Sequence, residues 1–193
     1  MHSLALPPAV RGLVLATVVI WLVMELRQGA TNRPEATKAD GGSRMVLRVA
    51  YVVGVVLSFA AVRGVPAADF GSRTVTAWIG LVVLWCGIAL RFWSFHTLGR
   101  YFTFTVQTSG SQPVITDGPY RFVRHPGYAA ILVAVSGIGL LVGNWLSLLC
   151  LVVAFASGLV YRIRVEERAL LADLGDSYRN YAATHKRLVP FVW

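Results

Sequence analysis

Cysteine is almost missing from this sequence. The two present, Cys86 and Cys150, each lie inside an apolar run. A disulfide framework or a cysteine-based metal centre needs more of them, grouped more tightly, so no metal site is expected. No Gly-x-Gly-x-x-Gly occurs, which removes the usual fingerprint of a Rossmann-type nucleotide site. Charged residues are also few, at 14% against 56% hydrophobic, which excludes a disordered chain. Acids are the scarcer charge: nine Asp and Glu face 18 Lys and Arg, a formal net charge of +9. In a soluble protein that excess would suggest nucleic acid. Here there is no zinc-finger or RNA-binding motif, and the basic residues flank apolar runs. Their expected partner is the anionic membrane surface, and nucleic acid is not an expected partner.

What is abundant is long apolar sequence. Residues 9–26 form one run, and Met24-Glu25-Leu26-Arg27 is a poor end for a cleaved signal peptide, so a retained helix is expected. Residues 31–43 are polar and read as a loop. A second run covers 46–65 and a third covers 75–90, the latter trailing into Arg91-Phe92-Trp93-Ser94-Phe95-His96, a composition suited to the membrane boundary. Residues 98–120 are too polar and broken to span, and long loops of this kind tend to carry function. Residues 128–163 are too long for one span and are split by Gly143-Asn144, predicting a helical hairpin of arms 128–142 and 145–161. Ser136, Gly137, Gly139 and Gly143 are expected to let those arms pack closely. After Tyr161 the chain turns charged and polar, with helical spacing to about Ala183.

The fold class that follows is an all-α polytopic membrane bundle of about five transmembrane helices. It divides into an N-terminal part, 1–74, and a core, 75–193. With five spans, residues 27–48, 91–127 and 162–193 share one side, and they hold 15 of the 18 Lys and Arg. That side is expected to be cytoplasmic and the N-terminus external. A loop and a tail that build one site must share a compartment, and this topology lets them.

The densest signal is Gly118-Pro119-Tyr120-Arg121-Phe122-Val123-Arg124-His125-Pro126-Gly127-Tyr128. Gly-Pro and His-Pro-Gly set turns, and Pro126 is suited to open a helix, where a missing N–H costs nothing. Arg121, Arg124 and His125 stand beside the free N–H groups of that helix start, a combination suited to an anion. The second signal is Arg162-Ile163-Arg164-Val165-Glu166-Glu167-Arg168. Adjacent acids on a helix point about 100° apart, so Glu166 and Glu167 face different neighbours. Arg162 is spaced to pair with Glu166, and Arg164 with Glu167. Taken singly these residues are ordinary: a loop histidine, solvated acids, basic anchors at a membrane edge.

Jointly they resemble the isoprenylcysteine carboxyl methyltransferase family and, more widely, membrane methyltransferases that include phospholipid N-methyltransferases. The resemblance rests on Gly118-Pro119-Tyr120, Arg124-His125-Pro126-Gly127-Tyr128, Glu166-Glu167 with Leu170, then Gly175, Tyr178, Tyr181, and Arg187 with Pro190. It covers about residues 80–193, and the first two helices carry no such signal. It implies a cytoplasmic pocket for S-adenosylmethionine, with His125, Pro126, Tyr128, Glu166 and Glu167 as cofactor contacts. It further implies Arg164, Arg187 and Glu167 as catalytic residues, the two arginines holding a substrate carboxylate. The implied acceptor is a lipophilic or prenylated molecule in a lipid environment. Alternatives are a lipid-amine N-methyltransferase, a membrane sterol-type reductase using NADPH, and a non-enzymatic membrane scaffold.

Overall fold

A computed structural model describes residues 8–29, 37–38, 42–99, 107–108, 113–190 and 193. Five helices account for nearly all of it: α1 Pro8–Gly29, α2 Ser43–Gly64, α3 Arg73–Leu98, α4 Pro126–Val142 and α5 Trp145–Thr184. Helices α2, α3 and α5 are long and apolar enough to cross a membrane, with mean hydropathies of 2.2, 1.9 and 2.1 over their most apolar stretches. The apolar stretch of α1, Pro8–Trp21, and α4 are shorter. The 17 residues of α4 rise about 25 Å, less than the ~30 Å hydrocarbon layer. The architecture is the expected all-helical bundle.

Helix α5 departs from the expected arm that stops at Tyr161. It continues past Arg162 to Thr184, 40 residues in all with one kink, far more than the ~20 a bilayer span needs. The change of composition at Arg162 marks where the helix leaves the apolar layer, with no break in its backbone. Its one interruption is Gly175, at φ 52° and ψ −126°. Nothing lies within 4 Å of where a Cβ would be, so the positive φ alone accounts for glycine there.

Two antiparallel pairings build the bundle. α3 and α4 touch backbone to backbone: a Cβ on Gly87 would lie 2.6 Å from the Ala134 nitrogen, and one on Gly137 would lie 2.5 Å from the Leu84 nitrogen. Gly137 therefore serves α3 rather than the hairpin partner, where Gly139 meets Leu148. The hydroxyl of Ser136 turns back to the Leu132 carbonyl of its own helix. Since neither backbone can give way, Gly87→Val is expected to cost at least the ~1–3 kcal/mol of overpacking, lowering Tm by several degrees in a detergent melt. An unchanged Tm would show that the two helices can part.

α2 runs along α5 in the opposite sense. Gly158 faces Ala50 and Leu47, Gly54 faces Ala154, and Ser58 shares a hydrogen bond with Ser147. At one end of the bundle, Asn144 at the α4–α5 turn donates to the Val65 carbonyl. At the other, β1 (Thr37–Lys38) pairs with β2 (Gln107–Thr108), joining the α1–α2 connection to the α3–α4 connection. The described residues of the segments 27–48, 91–127 and 162–193 therefore meet at one end, the grouping required of them if they build one site.

Candidate functional site

Pro126 opens α4 with His125 as its N-cap, as its fixed φ and absent N–H favour. The preceding residues run beside the C-terminal tail. The Arg124 N–H donates to the Lys186 carbonyl at 2.8 Å, and the His125 N–H donates to the Arg187 carbonyl at 2.9 Å. This short parallel bridge sets Arg187 next to the His-Pro turn. Tyr181 braces it from the end of α5, its hydroxyl donating to the Tyr120 carbonyl at 2.6 Å. From α3, the buried Arg91 donates to the Gly127 carbonyl at 3.0 Å, so the first turn of α4 is held from both sides.

Glu167 is the centre of the charge cluster and is only 6% exposed. Its Oε1 faces Arg124 Nη1 at 3.1 Å and His125 Nε2 at 3.2 Å, and its Oε2 accepts from Arg187 Nε at 2.9 Å. Burial pushes its carboxyl pKa up. The hydrogen bond and charge of His125, the charge of Arg124 and the hydrogen bond of Arg187 outweigh that and hold it below the ordinary value. Glu166 points elsewhere, as adjacent helical positions must, and accepts from the Tyr128 hydroxyl. That hydroxyl in turn accepts from Arg162 Nε at 2.8 Å. The rings of His125 and Tyr128 stack at 5.7 Å.

The structure thus gathers His125, Pro126, Tyr128, Glu166, Glu167 and Arg187 at one place. Arg164 is exposed, and among the described residues nothing joins its side chain to the cluster. The expected pairing along the helix yields to pairing across the fold: Glu167 is met by Arg124 and Arg187. Sequence reasoning put Arg124 in the family block without a site role, and gave Arg162 a pairing with Glu166 or a membrane anchor's part rather than a contact with Tyr128. The signal for Arg124 was its place directly before His-Pro.

Beside this cluster, Arg124 Nε and the Tyr178 hydroxyl are buried donors with no hydrogen-bond partner among the described residues. Tyr178 is 4% exposed. Burial, then the nearby charge of Glu167, raises its pKa, so it remains a proton donor at neutral pH. Unpaired buried donors are costly, and here they point to a ligand acceptor. Beside the His-Pro turn, with Pro126 in its wall, lies an apolar cleft of about 180 Å³, lined by Leu90, Trp93, Phe122, Val123, Ala129 and Leu188 among others. Val123 and Leu188 each sit one residue from an arginine of the cluster. Charge and cleft are therefore built from neighbouring residues of the same two segments.

Residues 78–172 match the family model described as the isoprenylcysteine carboxyl methyltransferase (ICMT) family. Over that stretch, just under half of its length, the chain is similar to this family. Among curated ICMT relatives, a probable protein-S-isoprenylcysteine O-methyltransferase of Oryza sativa subsp. indica is 30% identical over 118 residues, covering 60% of this chain and 62% of that one. The protein-S-isoprenylcysteine O-methyltransferase of Schizosaccharomyces pombe is 33% identical over 79 residues, 41% of this chain and 34% of that one. A solved structure described as the eukaryotic intramembrane Ras methyltransferase ICMT superposes with a TM-score of 0.62 at 28% identity, over 75% of this chain and 52% of that chain. The chain thus spans about three fifths of the rice relative and half of the solved one. With its apolar helices and this ICMT fold, it is an integral membrane protein.

Proposed function

We propose that this chain is a membrane methyltransferase that uses S-adenosylmethionine to methylate the carboxylate of an isoprenylcysteine-like lipophilic acceptor. The observation that carries the reading is the charge cluster around Glu167 beside an apolar cleft that shares the His-Pro turn. An acceptor with an ionised head and an apolar tail needs both.

The donor set suits the cofactor. Glu166 offers acceptor oxygens for an ammonium or ribose hydroxyl, and Tyr128 and His125 offer ring faces. The unpartnered Arg124 Nε and Tyr178 hydroxyl suit a carboxylate. When bound, the cofactor supplies an electrophilic methyl group on a sulfonium. A carboxylate acceptor is already ionised at neutral pH, so no side chain has to remove a proton. What the chain must do is hold and desolvate the acceptor oxygen. Arg187 is placed for this: its Nε is committed to Glu167, and the side chain is 33% exposed, leaving its other N–H groups for the acceptor. Glu167 orients both Arg187 and Arg124. Arg164 is proposed with Arg187 for the acceptor, and from its exposed position it would act on an acceptor at the mouth. The excess of Lys and Arg in the segments at this end supports a cytoplasmic position for it, with the N-terminus external. An amine acceptor is the less favoured class, since an ammonium head would meet Arg124 and Arg187.

S-adenosylhomocysteine binding to the detergent-purified protein, measured by calorimetry, tests the cofactor. Tyr178→Phe is expected to weaken it about tenfold or more with Tm unchanged, because its hydroxyl has no partner to lose among the described residues. His125→Ala is expected to weaken it as well. Wild-type protein that binds NADPH and no S-adenosylhomocysteine would replace this reading with the reductase.

A further inference from the structure

Helix α2 carries no residue of the family pattern, yet its first residue is built into the site. Ser43 is fully buried and accepts from Arg162 Nη1 at 3.1 Å. The two lie 119 residues apart in sequence. Arg162, itself 5% exposed, uses Nε on the Tyr128 hydroxyl, and that hydroxyl donates to Glu166. A guanidinium is planar and its N–H directions are fixed relative to one another. Holding Nη1 therefore fixes where Nε points. With one oxygen lone pair of Tyr128 taken by Arg162, its proton is directed to Glu166.

The rest of the α2–α5 interface makes this contact firm. Gly158, one helical turn before Arg162, lies against Ala50 and Leu47, and at the far end Ser58 bonds Ser147. Helix α2 can neither slide nor rotate without losing one of these.

We propose that Ser43 is a positioning residue for the cofactor site: through Arg162 and Tyr128 it sets the orientation of the Glu166 carboxylate. The N-terminal helices then serve the site as well as the membrane. This rests on the methyltransferase reading only in naming the ligand that Glu166 receives.

The test compares Ser43→Ala with Ser43→Thr, which keeps the hydroxyl, and with Ser58→Ala. The last removes one buried hydroxyl from the same interface, far from the site. S-adenosylhomocysteine affinity of each full-length protein in detergent is measured by calorimetry. Ser43→Ala is expected to lose about tenfold, Ser43→Thr and Ser58→Ala less than about twofold, although Ser58→Ala lowers Tm comparably. Equal losses in Ser43→Ala and Ser58→Ala, or none in Ser43→Ala, would overturn the proposal. Wild-type protein that binds no S-adenosylhomocysteine sinks the methyltransferase reading instead, and thermal melts then decide the relay. Tm shifts of Ser43→Ala and Tyr128→Phe should fail to add by about 2 °C or more, whereas those of Ser58→Ala and Tyr128→Phe add. Additive shifts in both pairs overturn the relay.

Discussion

Glu167→Ala is expected to reduce methyl transfer to a prenylcysteine analogue to background, at least about a thousandfold below wild type. One carboxylate here faces three cationic or polar partners, Arg124, His125 and Arg187. Its removal leaves two guanidinium groups close together with no counter-charge, both needed in fixed positions. Taking one partner from a buried ion pair costs about 3–5 kcal/mol, so Tm should also fall by roughly 10 °C. That fall makes Glu167→Gln the decisive companion. The amide keeps the shape and an acceptor oxygen for Arg187 while losing the charge. It should fold with a smaller Tm loss and still transfer methyl at least about tenfold more slowly than wild type. Wild-type rates in Glu167→Gln would reduce the carboxylate to a spacer.

Arg187→Ala is expected to lower kcat/KM for a carboxylate acceptor by roughly a hundredfold or more, chiefly by raising the acceptor KM. A charge-assisted pair lost at a partly buried site costs about 2–5 kcal/mol. The same substitution should change the cofactor KM far less, because Tyr128 and Glu166, the groups proposed to receive the cofactor, share no hydrogen bond or ion pair with Arg187 among the described residues. Arg187→Lys restores charge and cannot restore function fully. A lysine that reaches Glu167 has no second row of donors left for the acceptor, whereas arginine serves both at once. Equal effects on the two KM values, or none on the acceptor, would remove Arg187 from the acceptor site. The amide analogue of the acceptor supplies a check: it should discriminate poorly between wild type and Arg187→Ala.

Several features of this site were readable from nearby residues alone. Run lengths predicted the helices, since ~20 apolar residues are what a bilayer demands whatever surrounds them. Pro126 marked the start of α4 because its ring fixes φ and its missing N–H does no harm there. The divergence of Glu166 and Glu167 followed from the 100° step of a helix. The order of Gly-Pro-Tyr, Arg-His-Pro and Glu-Glu blocks suggested the family, which residues 78–172 match.

Partner choice was another matter. The local expectation gave Glu167 to Arg164, three residues away. The fold gives it to Arg187, 20 residues on, and to His125, 42 residues before. Near neighbours on an exposed helix face gain little by pairing in water. Partners brought in by the backbone bridge at Lys186 and Arg187 are largely buried, and there each charge requires the other. The same reasoning applies to Gly137, whose destination on α3 depends on which helix can come close enough to need it. It applies again to Arg162 and Ser43, which no spacing rule connects. The sequence by itself determined the helices, their membrane character and the residue types of the site, because hydropathy, proline geometry and helical periodicity act over a few residues. Only the tertiary structure decided which charges meet, that α5 continues through the membrane edge, and that α2 reaches the site. Those outcomes depend on segments far apart in the chain being packed together out of water.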